Sequence, residues 1–97
     1  MGKLVRDKIP AILRREGREP AVERISGERL RAALEDKLVE EARELQASGD
    51  AAELVDVLEV VDALIVCYGL DRAGLDEARG KKRAERGGFE EGFYLKD

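Results

Sequence analysis

The spacing of hydrophobic residues predicts four helices separated by glycines and short polar segments. Apolar residues recur every three or four positions over most of the chain, as they do along one face of an α-helix. The predicted helices cover residues 7–17, 26–47, 50–69 and 71–87, with an extended connection over residues 18–25. Asp7 and Ser26 are the expected N-caps of the first two helices, and Pro10 lies in an opening turn, where its missing N–H does no harm.

Short loops between helices favour antiparallel neighbours, so the expected fold is an all-α four-helix bundle in a single domain over residues 1–97. The apolar faces of the two long helices have more surface area than one small four-helix chain can bury. A homodimer or homotetramer is therefore expected to complete the bundle, with the functional site near the interface. The tail, residues 89–97, contains Phe93-Tyr94-Leu95 and is expected to fold back onto the body.

Composition narrows the possible chemistry. Charged residues make up 41% of the chain and aromatic residues 4%, which favours a helical protein over a β-sandwich. With no histidine and one cysteine, neither an internal disulfide nor a cysteine-built zinc site is available, so catalysis would depend on carboxylates, lysines, arginines or hydroxyls. A net charge of −4 argues against nucleic acid as a partner. Acids interrupt the most apolar run, residues 54–70, so no membrane span is expected and the protein is expected to be soluble and cytoplasmic.

The second helix directs one acid toward its apolar stripe. Leu34, Leu38, Ala42 and Leu45 form that stripe on a helical wheel that starts at Leu30. Glu41 lies at its edge, at about 20°, with Glu44 and Lys37 beside it and Glu40 farther toward solvent.

The third helix is apolar on nearly every side, and we expect it to be buried, yet it carries Asp56, Glu59 and Asp62. Glu59 and Asp62 are neighbours on one face, and partly buried carboxylates need a cation among them. Oxygen ligands alone select Mg²⁺ or Mn²⁺, so the predicted metal ligands are Glu41, Glu44, Glu59 and Asp62. Glu53 is assigned instead to a capping box with Asp50.

These acids also carry a resemblance. Glu40-Glu41-x-x-Glu44, followed by Glu59-Val60-Val61-Asp62, resembles the EExxE…ExxD pattern of the MazG-like all-α nucleoside triphosphate pyrophosphohydrolases. The two ends of the chain look like the phosphoribosyl-ATP pyrophosphohydrolase-like house-cleaning subgroup of that superfamily. The residues that carry this second likeness are Lys3-Leu4-Val5-Arg6-Asp7-Lys8-Ile9-Pro10 and Lys82-x-x-x-Arg86-Gly87-Gly88-Phe89.

The resemblance implies Mg²⁺-dependent hydrolysis of a nucleotide between its α and β phosphates, which yields a monophosphate and pyrophosphate. In the family the matching acids bind Mg²⁺, which again indicates Glu41, Glu44, Glu59 and Asp62. Glu40 or Glu41 is the candidate general base. Departing pyrophosphate needs cations, and the candidates for binding it are Lys37, Lys82, Arg86, Arg6 and Lys8.

Three alternatives stay open at the level of sequence. Glu53-Leu54-Val55-Asp56 also fits ExxD, although it follows Glu44 at a shorter gap than the family's usual one. The substrate could be phosphoribosyl-ATP of histidine biosynthesis rather than a canonical or modified nucleoside triphosphate. The chain could also be a non-catalytic helical module for binding or assembly. No motif identifies the base or sugar that is recognised.

Overall fold

A computed structural model describes residues 2–96, and these residues form four α-helices and no strand. The helices are α1 (Ile9–Arg15), α2 (Gly27–Ser48), α3 (Ala52–Cys67) and α4 (Arg72–Arg86). The all-α prediction is confirmed, and each helix lies where the hydrophobic spacing placed it. Within the described residues, none of these helices has both the length and the apolarity needed to cross a bilayer.

The two long helices, α2 and α3, form an antiparallel hairpin around a tight turn. Gly49 ends α2 in the left-handed conformation at φ 65°, which a glycine adopts without steric cost, and its N–H donates to the Leu45 carbonyl at 2.8 Å. Asp50 Oδ1 then accepts the N–H of Ala52 at 2.9 Å and starts α3. Because only residues 49–51 separate the helices, α3 must run back along α2.

The core of this hairpin is small. Among residues 2–96, the buried apolar residues are Leu34 on α2, which is 6% exposed, and Val60 on α3, which is 8% exposed. Leu38 and Leu45 of the predicted stripe are half-buried, whereas Ala42 is exposed. Such a core provides little of the apolar burial that stabilises an independent domain.

The N-terminal segment, residues 2–8, lies beside this hairpin. Arg6 Nη2 donates to Asp56 Oδ1 of α3 at 2.6 Å. Helix α1 then begins at Ile9, with Lys8 at the cap position and Pro10 in the first turn. The predicted Asp7 cap is therefore wrong, while the predicted place of Pro10 is confirmed.

Helix α4 begins as its sequence indicates, with Asp71 Oδ1 accepting the N–H of Ala73 at 3.3 Å. An ion pair between Arg72 and Asp62 connects it to α3. Among the described helices, however, extensive packing is confined to α2 against α3. The radius of gyration is consequently 17.3 Å, whereas a compact chain of this length would have one of about 13 Å.

Two expectations about apolar surface differ from the structure. Phe89, Phe93 and Tyr94 of the tail are 99%, 94% and 89% exposed, so the prediction that the tail folds back is wrong for the described part of the chain. Helix α3 is not buried on every side either, because Leu54, Val55, Leu58 and Val66 face outward. The second difference arises because α1 and α4 do not cover the hairpin.

Candidate metal centre

Three carboxylates meet near the turn of the hairpin. One oxygen each from Glu41, Glu53 and Asp56 lies within 4.8 Å of the other two. Glu41 is buried, whereas Glu53 and Asp56 are half-buried. Oxygens at this separation could bind one Mg²⁺ or Mn²⁺ after small side-chain adjustments, since Mg²⁺ sites place their ligands about 2.0–2.1 Å from the ion.

The hairpin brings these acids together from its two helices. Glu53 and Asp56 are three positions apart in the first turns of α3, so they are neighbours along that helix. Glu41 lies on α2, two turns before the helix ends at Ser48. The tight turn at residues 49–51 folds α3 back, so that its first turns face the last part of α2.

Glu41 has the most unusual environment of the three. Its side chain is only 8% exposed, and its Oε2 is fully buried with no hydrogen-bond partner among the described residues. Leaving a buried polar atom unpaired costs roughly 1–3 kcal/mol, and more for a charged group. Burial raises the pKa of the Glu41 carboxyl, and the charges of Glu44 and Asp56 raise it further, while Lys37 opposes them.

Lys37 partly compensates this charge from within α2. Its Nζ lies 3.2 Å from Glu40 Oε2 and 3.6 Å from Glu41 Oε1, and its side chain is only 19% exposed. Lys37 therefore faces two of the three acids of the Glu40-Glu41-x-x-Glu44 motif. Glu44 itself is exposed, but it is close enough to raise the pKa of Glu41.

Arg6 is the second cation at the cluster, and it comes from outside the hairpin. Its guanidinium pairs with Asp56 at 2.6 Å, with both side chains about half exposed. Of the cations that the sequence suggested for phosphate binding, Arg6 and Lys37 thus lie at the cluster. Lys8, Lys82 and Arg86 are exposed on the first and last helices and their flanks.

The second predicted acid pair lies elsewhere. Glu59 and Asp62 are both exposed, and Asp62 is paired with Arg72 at the start of α4. Of the four predicted metal ligands, the structure brings Glu41 and Glu44 near each other, and it places Glu53 and Asp56 beside Glu41. The alternative ExxD assignment, at residues 53–56, is therefore the one that the geometry favours.

The capping box that the sequence predicts for Glu53 does not form in the structure. The N–H of Asp50, which a capping box would pair with Glu53, donates instead to Ser48 Oγ at 3.0 Å. Glu53 shares one helix face with Val57, Val60 and Leu64, but apolar residues on other sides of α3 recur with the same spacing, so this pattern alone does not identify the packing face. Asp62 lies about opposite that face.

Comparison with known proteins gives little further guidance. No protein-family profile matches the chain, and no solved structure matches it. A protein of Mycolicibacterium smegmatis described as uncharacterized is 46% identical over 48 residues, which cover 50% of this chain and 49% of that protein. The chain thus spans about half the length of the curated relative that it matches.

Proposed function

We propose that the chain is a Mg²⁺-dependent nucleotide pyrophosphohydrolase, which cleaves a nucleoside triphosphate between its α and β phosphates. The observation that carries the proposal is the buried, unpartnered Oε2 of Glu41 beside the carboxylates of Glu53 and Asp56. A buried acid surrounded by other acids is costly unless a cation joins them. The resemblance of the acid motifs to the MazG-like superfamily supports the same chemistry.

The proposed metal ligands are Glu41, Glu53 and Asp56, with Glu44 at the exposed side. This set keeps two acids of the EExxE motif and takes Glu53-Leu54-Val55-Asp56 as the second motif. Glu59 and Asp62 remain the competing assignment. When bound, Mg²⁺ would neutralise phosphate oxygens and lower the pKa of a coordinated water.

Side chains around the cluster would complete the reaction. Glu40 is half-buried next to Lys37 and outside the three-acid cluster, so it is our candidate for accepting the proton of the attacking water. Lys37 would hold a phosphate oxygen and stabilise the charge that develops on the departing pyrophosphate. Lys82 and Arg86 could contribute only if α4 packs against a hairpin, either its own or that of a second copy.

A homodimer or homotetramer forms part of the proposal. Leu54, Val55, Leu58 and Val66 form an exposed apolar surface on α3, and among residues 2–96 the single chain buries only two apolar residues, neither of them completely. Pairing of such surfaces supplies the missing burial. The proposed partners are a nucleotide and copies of the same chain, without nucleic acid or membrane, and the expected place of action is the cytoplasm.

The test is a pyrophosphate-release assay over canonical and modified nucleoside triphosphates and phosphoribosyl-ATP, with Mg²⁺ and with Mn²⁺. We expect release from at least one triphosphate, reduced at least about 100-fold by Glu41→Gln. Glu91→Gln, in the exposed tail, is the matched control and should retain the activity.

Two results would redirect the proposal. Activity confined to phosphoribosyl-ATP would assign the histidine-biosynthesis reaction instead. No turnover, together with no rise in melting temperature on adding Mg²⁺, would favour a non-catalytic assembly module, for which the exposed apolar surface of α3 is the supporting observation.

A further inference from the structure

We propose that Arg6 is a built-in counterion of the acidic cluster and that a divalent ion displaces it from Asp56. This inference rests on the proposed function, because it takes the metal centre at Glu41, Glu53 and Asp56 as its starting point. It adds an exchange of cations: the arginine that pairs with Asp56 in the absence of metal leaves when the metal binds.

The Asp56 carboxylate belongs to the three-acid cluster and is also the partner of Arg6. Asp56 supplies one of the three oxygens that converge within 4.8 Å, and its Oδ1 also accepts the Arg6 guanidinium at 2.6 Å. Direct coordination to Mg²⁺ or Mn²⁺ would draw electron density from this carboxylate and bring a second positive charge close to the guanidinium, which weakens the ion pair. The two cations therefore compete for Asp56.

Arg6 is better suited to leave than the other cation at the cluster. Lys37 reaches Glu40 and Glu41 from within the same helix, and its side chain is 19% exposed. Arg6 belongs to a segment without helix, its side chain is 53% exposed, and its partner is 50 positions away along the chain. Breaking the Arg6–Asp56 contact therefore disturbs no helix.

Release would free the arginine in a segment that shares a cavity with Lys37, the residue proposed to hold a phosphate oxygen. Gly2, Lys3 and Leu4 of the segment that carries it line a cavity of about 140 Å³, and Lys37 and Glu40 also line this cavity. A guanidinium freed from Asp56 keeps its planar set of donors, which suits phosphate oxygens.

The experiment compares Mn²⁺ binding to the wild-type chain and to Arg6→Gln by calorimetry at low ionic strength. Arg6→Gln should bind Mn²⁺ about two- to fivefold more tightly, because an exposed ion pair opposes binding by only a modest free energy. The difference should shrink in high salt, which screens the guanidinium. Arg29→Gln is the matched control, since it removes an exposed pair with Glu23 at 3.0 Å and should leave Mn²⁺ affinity unchanged.

The outcomes separate this inference from the proposed function. Wild-type protein that binds Mn²⁺, together with equal or weaker binding by Arg6→Gln, overturns the inference and leaves the metal centre intact. Wild-type protein that binds no Mn²⁺ overturns both.

A second measurement covers the case in which Arg6→Gln fails to fold. In the wild-type chain, NMR should show the side-chain Nε–Hε signal of Arg6 shifting as Mg²⁺ is added, whereas that of Arg29 stays fixed. An Arg6 signal that is unmoved at saturating Mg²⁺ also overturns the inference.

Discussion

The hydroxyl of Tyr68 donates a 2.7 Å hydrogen bond to Glu35 Oε2, which connects the end of α3 to the first half of α2. Arg31 donates to the same carboxylate oxygen at 3.3 Å, and its guanidinium carbon lies 4.3 Å from the centre of the Tyr68 ring. This cluster fixes the open end of the hairpin, while the turn at Gly49 fixes the other end. The alignment of the acids between them depends on both.

Tyr68→Phe should lower the stability of the hairpin at neutral pH, because it removes the hydroxyl but keeps the ring against Arg31. The hydrogen bond from Tyr68, followed by that from Arg31, lowers the pKa of Glu35 below its ordinary value of 4.5. The stabilisation is therefore complete above that ordinary value and is lost as the pH falls through the lowered one. Urea midpoints at pH 7 and pH 3 test this.

The matched control for this pair is Tyr94→Phe, since Tyr94 is 89% exposed in the tail. Its urea midpoint should equal that of the wild type at both values of pH. Equal midpoints for Tyr68→Phe and the wild type at pH 7 would contradict the proposed role of the hydroxyl.

Glu41→Gln should stabilise the protein in the absence of metal. Burial and the neighbouring acids raise the pKa of Glu41, so the wild type is destabilised as the pH rises from the ordinary value of 4.5 through the raised one. The variant lacks this loss and should be more stable than the wild type by roughly 1 kcal/mol at pH 8. The difference should vanish below pH 4.5, where the wild-type carboxyl is protonated in both states.

Magnesium should reverse that order. At a concentration one hundred times its Kd, the ion would stabilise the wild type by about 2.7 kcal/mol. Glu41→Gln should gain much less. Thermal melts at pH 8 with and without Mg²⁺ provide the measurement, and a variant that is less stable than the wild type without metal would show that Glu41 is not a source of strain.

Asp56→Asn should weaken Mn²⁺ binding at least about tenfold, because it replaces a charged ligand with a neutral one. Asp62→Asn should change Mn²⁺ affinity less than about twofold, since Asp62 pairs with Arg72 outside the cluster. Titration of Mn²⁺ followed by electron paramagnetic resonance distinguishes free from bound ion. The opposite ranking of the two variants would restore Glu59 and Asp62 as the second acid pair.

Leu58→Arg should dissociate the proposed oligomer, because Leu58 is 58% exposed on the apolar surface of α3. Val22→Arg is the control, since Val22 is 51% exposed in the connection between α1 and α2. Sedimentation equilibrium should give a dimer or tetramer for the wild type and the control, and a monomer for Leu58→Arg. An unchanged mass for Leu58→Arg would exclude this surface as the contact.

Local signals in the sequence predicted much of the helical structure. Gly49 and Asp71 mark helix boundaries through interactions with their immediate neighbours, so their roles can be read from a few residues. The position of Glu41 was also predictable, because α2 has one apolar stripe and Glu41 lies at its edge.

The facing side of α3 was not predictable in the same way. Apolar residues surround this helix, so its periodicity does not identify the side that packs against α2. Glu53 also fitted a capping box, which in the structure is replaced by the Ser48–Asp50 hydrogen bond. A capping role and a packed position for Glu53 are both consistent with a helix. The packing of α3 against α2 decides between them.

The turn at Gly49 has a consequence for how the acids could assemble. Glu41, Glu53 and Asp56 are close in sequence as well as in space, so little chain entropy is lost in bringing them together. An ion bound there would link α2 to α3 across a short loop, and this local link would form early in folding. The three metal ligands would then lie within one short helical hairpin, and a longer protein could contain this hairpin without changes in the rest of its fold.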